Sequence, residues 1–328
     1  MNVRAPLRLV TTDEDGTAPA FRRDVLAGLA HSPKAIPARW FYDFEGSQLF
    51  EEITKQPEYY PTRSEIALLE AHGKDFAALA GPGRLVVEFG SGSSTKTPLL
   101  LAETAPAAYV PIDISGDFLH QSAQELGSRF PELPVIPIEA DFAMPIELPE
   151  RYRDMPTLGF FPGSTIGNLE PFAAVDCLRA MRATLGASGQ LLIGFDRVKD
   201  IGTLVAAYDD AQGVTAQFNL NLLYRINREL EADIPVGEFV HEARWNSELS
   251  RIEMHLRALR DLDFEVCGRR SAMAEGETIH TENSHKYTPE AAKLLLRAAG
   301  WLPLESWSGE DEAFLLVLTR AAGMGGFP

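Results

Sequence analysis

The chain has 328 residues, 45% of them hydrophobic, a formal net charge of −17 and only two cysteines, Cys177 and Cys267. That length permits one elaborated domain or two around a large core, and the acidic balance speaks against a nucleic-acid partner, which needs a lysine or arginine stripe that the sequence lacks. The two distant cysteines suggest neither a disulfide framework nor a C-x-x-C zinc or redox site, and with no apolar signal region or membrane-length apolar run, a soluble, cytoplasmic protein without a membrane partner is expected.

Residues 1 to about 20 are polar and read as a loosely ordered tail. The aromatic-rich stretch 20–61 follows, and from Thr62 the pattern is helical: Thr62 with Glu65 reads as a capping box, Ile66, Leu68, Leu69 and Phe76 supply an apolar side, and Gly73 interrupts or ends the helix. Apolar runs then recur at 85–89, 109–112, 135–138, 158–161 and 190–195, separated by segments long enough for helices, among them 175–185. Alternation of buried strand and helix predicts an α/β fold with a parallel, doubly wound sheet.

After Asp196 the rhythm changes. Phe218, Leu222, Leu223, Ile226 and Leu230 share one face of a long helix, and Trp245 and the stretch 251–256 read as strand. A helix over 289–299, capped by Thr288 and stopped by Gly300, and a strand over 313–319 return to the sheet. The expected organisation is therefore a Rossmann-like domain of 62–200 and 286–322, with a second, mixed α+β lobe of 20–61 and 201–285 and a substrate site between them.

The stretch GSGSSTKT, Gly90 to Thr97, follows the first apolar run and nearly satisfies two nucleotide-binding patterns. As G-x-x-x-x-G-K-[ST] it lacks the second glycine, because Thr95 stands there; as G-x-G-x-x-G it fails at the same place. Asp113 ends the next run, where such folds place a carboxylate for ribose hydroxyls, and Asp141-Phe142 ends the following one, joining an acceptor to a flat apolar face for an adenine ring. A phosphate-binding loop needs neither, and its magnesium carboxylate would have to be Asp196, which Arg197 follows. S-adenosylmethionine, an adenosine with an amino-acid end and no phosphate, accounts for the short glycine turn and both aspartates. Lys96 is either a solvated helix residue or a partner of the methionine carboxylate.

Longer stretches carry a closer likeness. RWFYDFEGSQLFEEITKQPEYYPTRSE (39–65), VVEFGSGSSTKT (86–97), FFPGSTIGNLEP (160–171), KDIGTLVAAYDDAQGVTAQFN (199–219), WNSELSRIEMHL (245–256) and ETIHTENSHKYTPE (277–290) resemble the histidine Nα-methyltransferases of ergothioneine biosynthesis. The resemblance runs from about residue 20 onward and implies a Rossmann-like S-adenosylmethionine-dependent methyltransferase domain with a second, substrate-binding lobe. It implies conversion of histidine to its trimethylated betaine, hercynine. It assigns Gly90, Ser91, Gly92, Lys96, Asp113, Asp141 and Phe142 to S-adenosylmethionine, and Tyr59, Asn168, Tyr208, Glu282 and Ser284 to histidine, with Tyr42 close by and a methionine, Met254, near the substrate. Thr95 stands where the family often has an acidic residue.

The residue types suit the assignment. In IHTENSH, 279–285, a strand would place His280, Glu282 and Ser284 on one side, and a neutral imidazole, with one donor and one acceptor, suits a carboxylate beside a hydroxyl. The alternative is an edge strand with a solvated polar face. His280 and His285 have no third ligand spaced with them, so no metal is expected. Asn168 lies just past the fourth apolar run and its amide suits an amino acid's two charged groups, although a helix-capping role fits equally. Tyr208 suits a carboxylate or simple packing, and sequence does not choose between Tyr59 and Tyr60 for the inward ring. The chemistry is read as in-line attack of a neutral amine on the sulfonium methyl, with positioning as the main contribution and no dedicated base. A monomer is expected. The competing readings are a methyltransferase of another small amine and a nucleoside-triphosphate-binding module built on Lys96 and Thr97.

Overall fold

The computed structural model describes residues 19–92 and 94–323, so the tail expected over 1–20 lies almost wholly outside the described residues. In chain order, α1 (Pro19–Ala30), the short strand β1 (Lys34–Ala35), α2 (Phe44–Thr54) and α3 (Tyr60–Ala80) precede β2 (Leu85–Phe89). Next come α4 (Thr97–Thr104), β3 (Ala108–Asp113), α5 (Gly116–Arg129), β4 (Ile138–Glu139), β5 (Thr157–Phe161), α6 (Pro171–Leu185) and β6 (Gln190–Asp196). They are followed by α7 (Ile201–Ala206), α8 (Val214–Glu229), β7 (Phe239–Asn246), β8 (Arg251–Ala258), β9 (Leu262–Val266), β10 (Arg269–Met273) and β11 (Thr278–His285). The described chain closes with α9 (Pro289–Ala298), β12 (Trp301–Ser308) and β13 (Phe314–Ala321).

A seven-stranded sheet has the order β12-β13-β6-β5-β2-β3-β4. Its strands β2 to β6 pair in parallel and β13 runs antiparallel to β6. Every residue of β2 and β5 is buried, as expected of central strands covered on both faces. The strand period divides neighbours between two cores: Val87, Phe89 and Phe161 pack with Leu178 and Trp301 on one face, Val86 and Phe160 with Leu69 and Phe76 on the other. A third core joins α1, α2 and α8 to a four-stranded sheet of order β1-β11-β8-β7 through residues such as Phe21, Ile53, Phe218, Leu222 and Ile252.

Local rules fail in identifiable places. The helix expected from a Thr62 cap begins instead at Tyr60, with Pro61 in its first turn and no side-chain cap, and it runs through Gly73 to Ala80. Glu65, the expected capping residue, is fully buried because it faces the sheet side of the helix and meets other partners there. Of the run 135–138 only Ile138 joins a strand, the two-residue β4, and Val135 makes an isolated bridge to Tyr109, since Pro137 cannot donate to a ladder. Strand β12 is not visible in the apolar pattern; Pro303 sits at a register shift against β13, and the strand is an edge whose side chains are mostly half-exposed or exposed.

Candidate active site

A cleft of about 610 Å³ opens at the carboxyl ends of β2, β3 and β5, lined also by residues of β1, α2 and β11. This is the crevice where open α/β sheets bind ligands. Gly90 leaves β2 with φ of 70° and Gly92 follows with φ of 47°. A Cβ on Gly90 would also lie 3.3 Å from the Phe142 ring, so the turn needs glycine for conformation and for room. Asp113 pins the turn from the end of β3: one carboxylate oxygen accepts from the Gly92 amide at 2.9 Å and the other from the Ser115 amide at 3.0 Å. Burial pushes its carboxyl pKa up, against the opposing pull of these amides. Ser91 Oγ is buried with no hydrogen-bond partner among the described residues, which suits a polar ligand in the cradle.

Lys96 and Thr97 are already engaged by carboxylates. Lys96 Nζ meets buried Glu65 at 2.5 Å, and Thr97 Oγ1 donates to buried Glu88 at 2.7 Å. Glu65 also accepts from the Gly163 amide at 2.8 Å, tying α3, the glycine loop and the β5 loop together. A phosphate would find two carboxylates beside these side chains, which is unfavourable company for an anion. Phe142 lines the cleft and packs edge-on to Phe161, ring centroids 5.5 Å apart. Asp141 is placed differently: its carboxylate is outside the lining, where it accepts from the Ala143 amide at 2.9 Å and from Arg39 at 3.3 Å.

A smaller cavity of about 40 Å³ adjoins the cleft, and Tyr42, Tyr59, Asn168, Tyr208, Glu282 and Ser284 all line it, with Met254. Tyr42, Tyr59, Asn168 and Glu282 line the large cleft as well, so the two spaces meet at these side chains. Asn168 closes a 3-10 turn after β5, and Gly167 before it lets β11 approach closely, since a Cβ there would sit 2.8 Å from the His285 carbonyl oxygen. Asn168 Nδ2 then donates to Glu282 Oε1 at 3.2 Å. Tyr208 Oη and Ser284 Oγ are 2.6 Å apart. Of the adjacent tyrosines, Tyr59 faces the cavity, whereas Tyr60 turns away and donates to Asp196 at 2.8 Å.

The expected alternation along β11 does not hold for His280. The register against β8 shifts between His280 and Glu282, with His280 opposite His255, Glu282 opposite Met254 and Ser284 opposite Ile252. This β-bulge puts Glu282 and Ser284 on the side of Met254, and His280 on the other, stacked on His255 with centroids 4.8 Å apart. Thr281 holds the bulge by donating to Asn219 Oδ1 at 2.8 Å, from a fully buried asparagine on α8. His280 thereby joins His255 and Glu253, whose ligand-type atoms lie within 4.8 Å of one another, a grouping not foreseen from the spacing of His280 and His285. The rings are within 18° of parallel, so their lone pairs do not converge on one point. Glu253 already accepts from Arg251 at 2.8 Å and Asn246 at 2.9 Å.

Burial pushes the Glu282 carboxyl up to about 8, against the opposing charge of Lys286. The folded chain therefore holds a proton that the unfolded chain has released above its ordinary value of 4.5, and stability contributed by this group falls as pH rises from there to about 8. Glu282→Gln, which cannot titrate, is expected to show a shallower loss of urea midpoint than the wild type between roughly pH 5 and 8. An equal decline in both proteins would show that Glu282 is ionised in the fold.

Lys286 escapes the motif-based reading of the sequence. Its Nζ is fully buried beneath the cavity and donates to Asp196 at 2.7 Å, Ser284 at 2.7 Å and Tyr208 at 2.9 Å. A signal does exist, because Lys286 continues the two-residue period of Glu282 and Ser284. Lys199 takes the other oxygen of Asp196 at 2.5 Å, and burial pushes its own pKa down to about 8 against the pull of that carboxylate. Burial opposes ionisation of Asp196, yet the two lysines hold its pKa below the ordinary value.

A doubly wound sheet and a short glycine turn pinned by an aspartate at the end of the next strand suit an adenosine-bearing ligand, and a loop lysine already paired with a carboxylate suits one without phosphate, as in S-adenosylmethionine. Comparison with known proteins takes the identification further. Residues 21–321 match the family described as "Histidine-specific methyltransferase, SAM-dependent", and the chain belongs to that family. It is 41% identical to a histidine N-alpha-methyltransferase of Mycolicibacterium smegmatis, over 93% of this chain and 96% of the relative, and 41% identical to the protein of the same name from Mycobacterium tuberculosis, with the same coverage. It is also 30% identical to a 4-dimethylallyltryptophan N-methyltransferase of Trichophyton verrucosum, over 89% of this chain and 91% of that one. Among the described residues no helix is long and apolar enough to cross a membrane.

Proposed function

We propose that this protein transfers methyl groups from S-adenosylmethionine to the α-amino nitrogen of L-histidine, in successive rounds, to give the trimethylated betaine hercynine. The observation that carries the reading is convergence: Tyr42, Tyr59, Asn168, Tyr208, Glu282 and Ser284 come from widely separated segments and line one small cavity that opens on the glycine-loop cleft. Gly90, Ser91, Gly92 and Asp113 would hold the S-adenosylmethionine, with Phe142 against its adenine. Lys96 would act through its ion pair with Glu65, shaping the loop, and Asp141 from beside the cleft.

S-adenosylmethionine supplies a methyl group already activated by a positive sulfur. What remains for the protein is alignment of a nucleophile. Asn168 and Tyr208 would hold the substrate carboxylate, Glu282 and Ser284 the imidazole, and Tyr42 and Tyr59 would border the amine. The substrate ammonium must lose a proton before it has a lone pair. Burial, aided by the charge of Glu282, pushes the pKa values of Tyr42 and Tyr59 well above the ordinary value, so both phenols stay protonated and neither serves as a phenolate base. The proton would pass to solvent through the cleft, and the tyrosine oxygens would accept hydrogen bonds from the amine while it is repositioned between rounds.

The test is mass spectrometry of free amino acids incubated with enzyme and S-adenosylmethionine. Mono-, di- and trimethylated histidine are expected. Preferential methylation of another amine would favour a reading in which the same loop serves a different ring, the direction in which the relative named for 4-dimethylallyltryptophan points. Asn168→Ala and Tyr208→Phe should each raise the KM for histidine far more than that for S-adenosylmethionine, because substrate polar groups lose their partners in a buried site. Equal rises for both substrates would place these side chains in folding or closure rather than in histidine recognition.

A further inference from the structure

Lys286 is a buried ammonium with all its hydrogens committed: Asp196 Oδ2, Tyr208 Oη and Ser284 Oγ lie at 2.7, 2.9 and 2.7 Å. An ammonium only donates, so both hydroxyl oxygens accept from it. Those oxygens are themselves 2.6 Å apart, and one hydrogen must lie between them. Of the two hydroxyl hydrogens, one is therefore held inside the triangle and one is left to turn into the cavity that Tyr208 and Ser284 line. We propose that Lys286 is a positioning residue that orients the hydroxyls of Tyr208 and Ser284 so that their single free hydrogen is delivered to the substrate carboxylate.

The inference rests on the assignment of Tyr208 to that carboxylate, and it has a consequence for the ring. With the Tyr208 hydrogen on the carboxylate, the Ser284 hydrogen lies on Tyr208, and Ser284 is left as an acceptor toward the imidazole. The ring must then present an N–H to Ser284 and its other nitrogen to Glu282. A Glu282 carboxyl that retains its proton in the buried site can donate to that second nitrogen. Lys286 thus links recognition of the two ends of one substrate without touching it. Its positive charge would also reach the carboxylate through the polarised Tyr208 hydroxyl, from a position outside the lining of the glycine-loop cleft.

The second lysine makes the idea testable by substitution. In Lys286→Met, Asp196 keeps Lys199 at 2.5 Å and is not left as an unpaired buried charge. The experiment is calorimetric titration of histidine, and of histamine, which lacks the carboxylate, into protein saturated with S-adenosylhomocysteine. Wild type, Lys286→Met, Tyr208→Phe and the double variant are compared, with thermal unfolding as the control for folding. Lys286→Met is expected to weaken histidine roughly tenfold or more, as for a hydrogen bond to a charged group. Histamine binding should change little, and Lys286→Met should add little once Tyr208 is phenylalanine. Lys286→Gln, which retains a donor for one hydroxyl, is read the same way if the methionine variant does not fold. Equal weakening of both ligands, or a full effect of Lys286→Met in the Tyr208→Phe background, overturns the proposal and leaves Lys286 a structural cation. If Tyr208→Phe weakens histidine and Lys286→Met does not, the positioning role alone is overturned. If Tyr208→Phe itself leaves histidine unchanged, the carboxylate assignment fails first and takes this one with it.

Discussion

Glu282→Ala is expected to lose nearly all histidine methylation and to narrow the preference for histidine over phenylalanine and tryptophan. Glu282 is buried in the wall of the small cavity beside the cleft, where Asn168 donates to it at 3.2 Å. A substrate with an apolar ring would leave both Glu282 and Ser284 without a partner on the ligand side. Sites built to hydrogen-bond a substrate reject an analogue that cannot by roughly 10⁴ or more, because the penalty is the unpaired buried polar group and not merely the missing attraction. Alanine removes the penalty along with the attraction, so the histidine rate should collapse while the rates for apolar aromatic amino acids hold or rise. Competition of histidine against phenylalanine and tryptophan, followed by mass, reads both effects. A wild type that methylates the three about equally, or a variant with unchanged preference, would remove Glu282 from ring recognition and favour another amine as the substrate.

The next largest effect is expected from Asp113→Ala, which should weaken S-adenosylhomocysteine by about 1.5–3 kcal/mol, the range for hydrogen bonds to a charged group. The Asp113 oxygens accept from the Gly92 amide of the glycine turn and from the Ser115 amide just after β3, and Asp113 lines the cleft, where its remaining lone pairs could meet ribose hydroxyls. The substitution would therefore remove the proposed ribose contact along with the group that accepts from the Gly92 amide in its left-handed turn. Calorimetry with S-adenosylhomocysteine measures the sum, and the histidine KM at saturating S-adenosylmethionine should move far less. Unchanged affinity in a folded variant would mean that Asp113 serves the loop alone and that the ribose is held elsewhere.

Much of this molecule is legible in its amino-acid sequence. The runs 85–89, 109–112, 158–161 and 190–195 become central strands because a strand covered on both faces must be apolar throughout, a property local enough to read directly. The glycine turn with an aspartate at the end of the following strand is legible for the same reason: its geometry is set within a few residues and one parallel pairing. The long helix carrying Phe218, Leu222 and Ile226 and the Thr288 cap, whose Oγ1 accepts from Ala291 at 3.1 Å, are equally local.

What tertiary structure alone decides are matters of parity and partnership. Thr62 and Glu65 satisfy a capping pattern, but the ion pair with Lys96 and the burial of Glu65 draw that side chain under the β5 loop, where no sequence rule could place it. Tyr59 and Tyr60 are chemically the same, and only the position of Asp196, far along the chain, turns one of them away from the cavity. His280 shares the two-residue period of Glu282 in the sequence, yet a single bulged residue, held by Asn219 of the distant helix α8, resets the parity and carries it to the opposite face. Sequence thus determines the sheet, the loop and the chemical kinds of residue at the site, since each follows from short-range periodicity or turn geometry. Which of those residues share one cavity depends on strand register and buried charge pairing, which are settled between segments far apart in the chain.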